Sequence, residues 1–504
     1  MPNPLYDTLF APGRESDRAF LIKADGATLT YRDFHALAAR QANVLKSAGL
    51  VAGDRIAVQV EKTPEALALY AACVMSGIVL LPLNTAYTLA ELDYFITDSG
   101  ARGVVCDPAI GPQLQKLVGA GRVMLTLDAA GAGSLSHQAA QQPSDFPIAD
   151  RQGNDLAALL YTSGTTGRSK GAMLTHANLL SNAQTLADLW RFNSDDVLLH
   201  ALPIFHTHGL FVACNVTLMA RSSMIFLPKF DLAAMLRLMP QATVLMGVPT
   251  FYTRLLGEQS FNRKLVAHMR LFVSGSAPLL AETHMEFEAR TGHRILERYG
   301  MTETNMSTSN PYEGERRAGT VGFPLPGVDL LITDPETGVP LKQGETGMIE
   351  VRGPNVFQGY WGMPEKTKAE LRENGFFITG DIGRIDDDGY VHIVGRAKDL
   401  IISGGLNIYP REIELLLDEQ PGVLESAVVG VPHPDFGEAV LGFIVPRSGA
   451  RPDVIAIRDV AAQHLARFKQ PRELILLEEL PRNTMGKVQK AALREAYKSR
   501  FMAG

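Results

Sequence analysis

The run Tyr161-Thr-Ser-Gly-Thr-Thr-Gly-Arg-Ser-Lys-Gly171 fixes one point of the fold, a loop built to surround an anion. Ten consecutive residues from Thr162 hold three glycines, five hydroxyls and two cations. The glycines let backbone N–H groups turn toward a ligand, and the hydroxyls add donors at little steric cost. Arg168 and Lys170 supply positive charge. The apolar run Leu156-Ala-Ala-Leu-Leu-Tyr161 before the loop reads as a buried strand, and Asn178 to Trp190 after it reads as a helix. A phosphate loop between strand and helix is the arrangement expected of a nucleotide site. A Ser/Thr/Gly-rich segment is commonly only a solvated connection. Here the flanking strand and helix, with the paired cations, favour phosphate binding. A Walker A loop does not fit, because Gly164 and Gly167 are too closely spaced and Gly171 follows Lys170.

A chain of 504 residues is too long for one core, so two or more domains are expected. Hydrophobic residues make up 46% and charged residues 20%, an ordinary soluble composition. A net charge of −6, with no dominant Lys/Arg block, argues against a nucleic-acid partner. Cys73, Cys106 and Cys214 lie far apart, which excludes a disulfide framework or a CxxC metal site and favours a reducing compartment. The first residues show no basic and apolar leader, and no apolar run approaches the roughly 20 residues that span a bilayer. A cytoplasmic protein without a membrane span is therefore expected.

Strand-like and helix-like runs alternate through the first 300 or so residues. Ile56 to Val60 precedes a helical pattern from Pro64 to Met75 and then Ile78 to Leu83. Ala242 to Met246 precedes Pro249 to Leu256, and Leu271 to Ser274 precedes Leu279 to Arg290. Such alternation predicts parallel sheets covered by helices. From about Gly319 to Gly395, short strands punctuated by Gly and Pro predict a β-rich subdomain. After Asp399 the pattern predicts a small α+β unit, with helices at Pro410 to Leu417 and Val454 to Leu465 and strands at Ser426 to Val431 and Ala439 to Val445. The expected fold is thus α/β: a large N-terminal domain, residues 1–396, and a small mobile C-terminal domain, residues 397–504.

Two later segments narrow the chemistry. Arg298-Tyr-Gly-Met-Thr-Glu-Thr304 follows a predicted strand, Arg294 to Glu297, which puts it at a strand's carboxyl end where α/β folds bind ligands. It offers an aromatic face for a base, a hydroxyl for a phosphate and a carboxylate for Mg²⁺. Near the end of the chain, Asn483-Thr-Met-Gly-Lys487 sets a lysine in a turn. Singly these are weak, since a late lysine is ordinarily a solvated charge. With the phosphate loop come Phe205-His-Thr-His-Gly209, Gly275-Ser-Ala-Pro278, Tyr299-Gly-Met-Thr-Glu303, Thr379-Gly-Asp381 and Gly395-Arg-Ala-Lys-Asp399, in that order. The whole set resembles the adenylate-forming superfamily of acyl-CoA synthetases, luciferases and peptide-synthetase adenylation domains. Leu83 to Tyr94, Met246 to Arg254 and Met301 to Met306 resemble the malonyl-CoA synthetases within it.

That resemblance implies activation of a carboxylate by ATP, release of pyrophosphate, and displacement of AMP by the thiol of CoA. Thr162, Ser163, Gly164, Thr165, Thr166, Gly167 and Lys170 would hold the β- and γ-phosphates. Thr302 would meet the α-phosphate and Glu303 would hold Mg²⁺. Tyr299 would stack on adenine, opposite Gly275, Ser276 and Ala277. Asp381 would bind the ribose hydroxyls with Arg396 beside it. Lys487 would stabilise the adenylation step as the catalytic lysine. The small domain would then turn about Lys398 and bring Ser403, Gly404 and Gly405 to face CoA. Lysine acylation is a mode of control in this superfamily, which makes a lysine acyltransferase or deacylase acting on Lys487 an expected partner.

For the acid, the resemblance to malonyl-CoA synthetases implies a small dicarboxylate, methylmalonate included. The rival is another short-chain or aromatic acid. Arg254, on the predicted helix after Val248-Pro-Thr250, would clamp the second carboxylate bidentately. From spacing alone Arg254 is as well explained by solvent exposure or by pairing with Glu258. His206, His208 and Ser276 would complete the polar end, with Met301 limiting chain length. The two histidines have no third ligand at matching spacing, so a metal reading finds little support.

Overall fold

The computed structural model describes residues 2–119, 121–162, 169–403, 406–483 and 486–502. The chain divides into two compact units, Met1–Asp329 with Val351–Phe377, and Leu330–Glu350 with Ile378–Gly504. Among the described residues, no helix is long and apolar enough to cross a membrane.

The first unit carries two sheets. The six-stranded sheet runs Val123–Thr126, Gly103–Cys106, Arg55–Gln59, Val79–Pro82, Leu156–Thr162 and Lys170–Thr175, and all but the last pair parallel. Parallel neighbours need a crossover, and helix Pro64–Ser76 supplies one between Arg55–Gln59 and Val79–Pro82. Its sequence sets its limits: Thr63 caps the Ala66 N–H, Pro64 occupies the first turn, and Gly77 at φ 69° ends it. Every residue from Ala66 to Ser76 is buried, as a helix apolar on all faces must be. The nine-stranded sheet runs Phe323–Pro324, Asn305–Ser309, Leu296–Met301, Leu271–Ser274, Val244–Gly247, Val197–His200, Ser223–Phe226, Ala19–Ile22 and Thr28–Thr30. Its central strands are parallel and its outer ones antiparallel.

Two local expectations change. The phosphate loop does not join a strand to a helix. Thr162 pairs with Lys170 and Tyr161 with Gly171, so the loop closes an antiparallel hairpin, although residues 163–168 lie outside those described. Lys170-Gly-Ala-Met-Leu-Thr175 is buried at all but Met173 and pairs along its length with Leu156–Thr162, which makes it a strand. Helix His176–Leu189 begins only after it, with Thr175 and Asn178 forming a capping box. The strand expected over Arg294 to Glu297 is Leu296–Met301. It lies parallel to Leu271–Ser274 at its start, then pairs antiparallel with Asn305–Ser309, so Tyr299 to Met301 end its first strand and Thr302 to Thr304 form the tip of a hairpin.

The second unit holds a four-stranded sheet, Asp329–Thr333, Gly347–Arg352, Phe377–Ile385 and Val391–Arg396, and a five-stranded sheet centred on Val423–His433 and Gly437–Pro446. Alternation along Val423–His433 sends Val428 toward Ile413 and Leu417, and Ala427, Val429 and Val431 toward Leu480 and Leu493. Both faces are therefore covered. Cys73, Cys106 and Cys214 are free and buried.

Candidate active site

At the foot of the phosphate loop, Thr162 and Lys170 stand on adjoining strands. The Thr162 hydroxyl lies 3.5 Å from Glu303 Oε1. Lys170 is 8% exposed, with Nζ 3.2 Å from Glu370 and 4.2 Å above the Tyr360 ring. The Tyr360 hydroxyl donates toward Glu303 Oε1 at 3.0 Å and Glu370 Oε2 at 2.7 Å. Burial, then the charges of Glu303 and Glu370, push the Tyr360 phenol far above its usual range, so it keeps its proton. Burial pulls Glu370 upward, but hydrogen bonds from Lys366 and Tyr360 and the charge of Lys170 outweigh it, and its carboxyl sits below the usual range.

A second group gathers where Leu271–Ser274 ends. Ser276 and Asn305 hold left-handed backbone at φ 70° and 50°, a strained choice for side chains with a Cβ and one that clusters at ligand sites. Thr207 Oγ1 donates to Asn305 Oδ1 at 2.8 Å. Ser276 Oγ is 3.3 Å from His208 Nδ1. His208 opens a π-helical turn, His208–Cys214, a form frequent at functional sites. Beside it lies Arg298, 2% exposed, whose Nε and Nη2 meet no hydrogen-bond partner among the described residues. Gly275 makes room for it, since a Cβ there would run into the guanidinium. Burial draws Arg298 down to about 9, so it stays cationic at neutral pH. Burial first, and Arg298 second, hold His208 well below the usual imidazole range, and it is neutral. Tyr299, Met301 and Thr302 are half-buried on the hairpin.

Arg254 behaves differently. It is exposed on helix Pro249–Leu256 and stacks over the Phe230 ring at 5.5 Å. His206 is half-buried, its Nδ1 3.4 Å from the His208 N–H.

In the second unit, Asp381 is buried and bridged to Arg396 at 2.7 Å, with its N–H on Thr379 Oγ1 at 3.0 Å. Lys398 sits in a short 3₁₀ turn, Ala397–Asp399, whose Asp399 pairs with Arg494. Lys487 is exposed on a hairpin closed by Arg482 and Val488, and its N–H donates to Asn483 Oδ1 at 2.9 Å. Ser403 pairs with Leu406, while Gly404 and Gly405 lie outside the described residues. Among the described residues, no three or more His, Cys, Asp or Glu side chains cluster to hold a metal.

Residues 10–361 match the AMP-binding enzyme family and residues 412–487 its C-terminal domain. The chain belongs to the AMP-binding enzyme family. A malonate–CoA ligase of Arabidopsis thaliana is 34% identical, over 98% of this chain and 88% of the relative. A feruloyl-CoA synthase of an Amycolatopsis species is 36% identical, over 96% and 97%. Among solved structures, ATP-bound MatB from Rhodopseudomonas palustris superposes with a TM-score of 0.97 at 58% identity, covering 99% of this chain and all of that one.

Within this family member the structure brings Thr162 to Glu303, Ser276 to His208 and Asp381 to Arg396. Arg254 is an exposed side chain over the Phe230 ring. Three residues of these clusters were not singled out from sequence: Arg298, Tyr360 and Glu370. A signal existed for Arg298, which directly precedes Tyr299 in the motif and follows an apolar strand start. Tyr360 and Glu370 carried none, because what ties them to the site, Glu303 and Lys170, lies 57 and 200 residues away.

Proposed function

We propose that this enzyme is an AMP-forming malonate–CoA ligase, converting ATP, malonate and CoA to AMP, pyrophosphate and malonyl-CoA through a malonyl-adenylate. Sequence likeness to a malonate–CoA ligase over nearly the whole chain supports it. The observation that carries the choice of a diacid is the Arg298 guanidinium, buried with two donor nitrogens unmet beside Ser276 and His208. Buried donors without acceptors are costly, and a second carboxylate supplies the missing acceptors with the planar geometry a guanidinium prefers. A methyl group in that place leaves the cost standing, which rejects monocarboxylates. Arg254, the clamp expected from sequence, is a second candidate, and paired variants decide between them. His206, Ser276 and Met301 shape the rest of the acid site, and methylmalonate is an expected alternative substrate.

The two anionic reactants must meet, so cations and donors have to neutralise developing charge. Thr162 to Lys170 hold the outer phosphates, Thr302 the α-phosphate, and Tyr299 the adenine against Gly275 to Ala277. Asp381 and Arg396 hold the ribose. Glu303 suits Mg²⁺, which binds through one or two carboxylates plus substrate phosphates: its carboxylate is buried beside the phosphate-loop strand. When bound, the ion offsets phosphate charge. Lys487, on residues 397–504, serves adenylation alone. Rotation about Lys398 then replaces it with the Ser403 to Gly405 turn for CoA attack. The reading is of a cytoplasmic enzyme whose exposed Lys487 is open to a regulatory acyltransferase, detectable as loss of adenylation on acylation.

The deciding experiment is CoA-dependent AMP release across C2 to C6 mono- and dicarboxylic acids. Malonate should lead, followed by methylmalonate. Faster turnover of an aromatic or a monocarboxylic acid would overturn the assignment.

A further inference from the structure

Tyr360 reaches the site through backbone stitching. Gln358 N–H donates to Met173 O at 3.0 Å, Met173 N–H to Gly359 O at 3.0 Å and Trp361 N–H to Gly171 O at 2.8 Å. This lays residues 358–361 along the strand that leaves the phosphate loop. The same segment grips the other side, with Phe357 N–H donating to Glu303 O at 2.8 Å. The Tyr360 ring packs on Phe357, centroids 4.8 Å apart, beneath the Lys170 cation. Its hydroxyl is thus held between two carboxylates, Glu303 and Glu370, by main-chain contacts to both sides.

A phenol has one hydrogen to donate, and here two carboxylates compete for it. Glu370 is also served by Lys170 at 3.2 Å and Lys366 at 2.6 Å. It is anchored whether or not the phenol donates to it, so the hydrogen can go to Glu303. We propose that Tyr360 is a positioning residue for Glu303: its hydroxyl fixes the carboxylate that takes the divalent cation, and Glu370, held by Lys170 and Lys366, fixes the phenol. The inference rests on the reading of Glu303 as the metal carboxylate of an ATP site. Outer partners of metal-binding carboxylates typically control metal affinity by about 10- to 100-fold. Lys170 belongs to the phosphate loop, so this chain of contacts links the loop to the metal carboxylate.

The test is calorimetric ATP binding to the full-length enzyme without any acid, once in EDTA and once with Mg²⁺. The result is therefore independent of which acid the enzyme activates. Tyr360→Phe keeps the ring on Phe357 and under Lys170. It should leave binding in EDTA unchanged and lower the gain from Mg²⁺ by about 10- to 100-fold. Glu303→Gln should abolish that gain, and adding Tyr360→Phe to it should change nothing further. Glu370→Gln still offers the phenol an acceptor and should retain most of the gain. A Tyr360→Phe enzyme with the parental Mg²⁺ gain would overturn the proposal. So would one that loses affinity equally in EDTA and Mg²⁺, the signature of a packing role, or a further loss in the double variant.

Discussion

Replacing Arg298 with Met tests the diacid reading where it is most exposed to error. Met fills most of the volume and carries no charge, so packing against Gly275 is largely kept. In the parent, Nε and Nη2 lie buried without acceptors among the described residues. Two charge-assisted hydrogen bonds to a distal carboxylate contribute about 1.5–3 kcal/mol each, so removing the guanidinium should cost malonate about 3–6 kcal/mol of transition-state binding. At about 1.4 kcal/mol per decade, kcat/KM for malonate should fall roughly a hundred- to ten-thousandfold. Propionate should gain, because its methyl no longer buries an unpaired cation. Folding stability should hold or rise, since exchanging a buried charged group for a well-packed apolar side chain is often neutral or stabilising by about 1–4 kcal/mol. The assay is acid-dependent AMP release with both acids, alongside thermal melting. A malonate preference over propionate within about tenfold of the parent, in a folded protein that still binds ATP, refutes the assignment.

Arg254→Ala is the companion: if Arg298 is the clamp, this exposed side chain should cost malonate less than about tenfold, and a loss near a thousandfold would return the clamp to Arg254. Lys487→Ala should abolish ATP–pyrophosphate exchange yet spare CoA attack on supplied acyl-adenylate, and equal losses in both assays would contradict alternation of the small domain. Lys398→Pro, which stiffens the turn, should do the reverse. His176 is 1% exposed, and burial draws its imidazole down to about 4, so the folded state resists a proton that the unfolded chain accepts near 6.5. Its contribution is complete above about pH 6.5 and fades as pH falls toward 4, about 2 kcal/mol by pH 5. Chemical denaturation at pH 7 and pH 5 should show His176→Gln losing correspondingly less stability on acidification than the parent.

The parts legible from sequence were those whose causes lie nearby. Helix Pro249–Leu256 and strand Leu271–Ser274 were read to the residue, because Pro at the helix start and an unbroken apolar run are local signals. The hairpin around the phosphate loop was not. Lys170 to Thr175 has no alternation to mark it, and its strand character comes from pairing with Leu156–Thr162 and with residues 358–361. Strand Leu296–Met301 ran past its expected end for a similar reason. Gly300 lets the returning Asn305 backbone approach closely, and a Cβ there would run into the Asn305 carbonyl.

The acid site shows the same limit more sharply. Arg254 and Arg298 look alike as letters, each within two positions of a tyrosine on a half-buried element. What separates them is Gly275. Without a Cβ on the neighbouring strand's exit, the Arg298 guanidinium fits inside; with one, it must leave. Gly275 and Arg298 therefore work as one feature written in two places, and neither residue alone reveals it. It follows that Gly275→Ala should erode malonate selectivity by expelling Arg298, beyond any effect of the new methyl on the adenine wall. Were Gly275 needed only to admit adenine, the same change would weaken ATP binding and leave the ranking of acids intact.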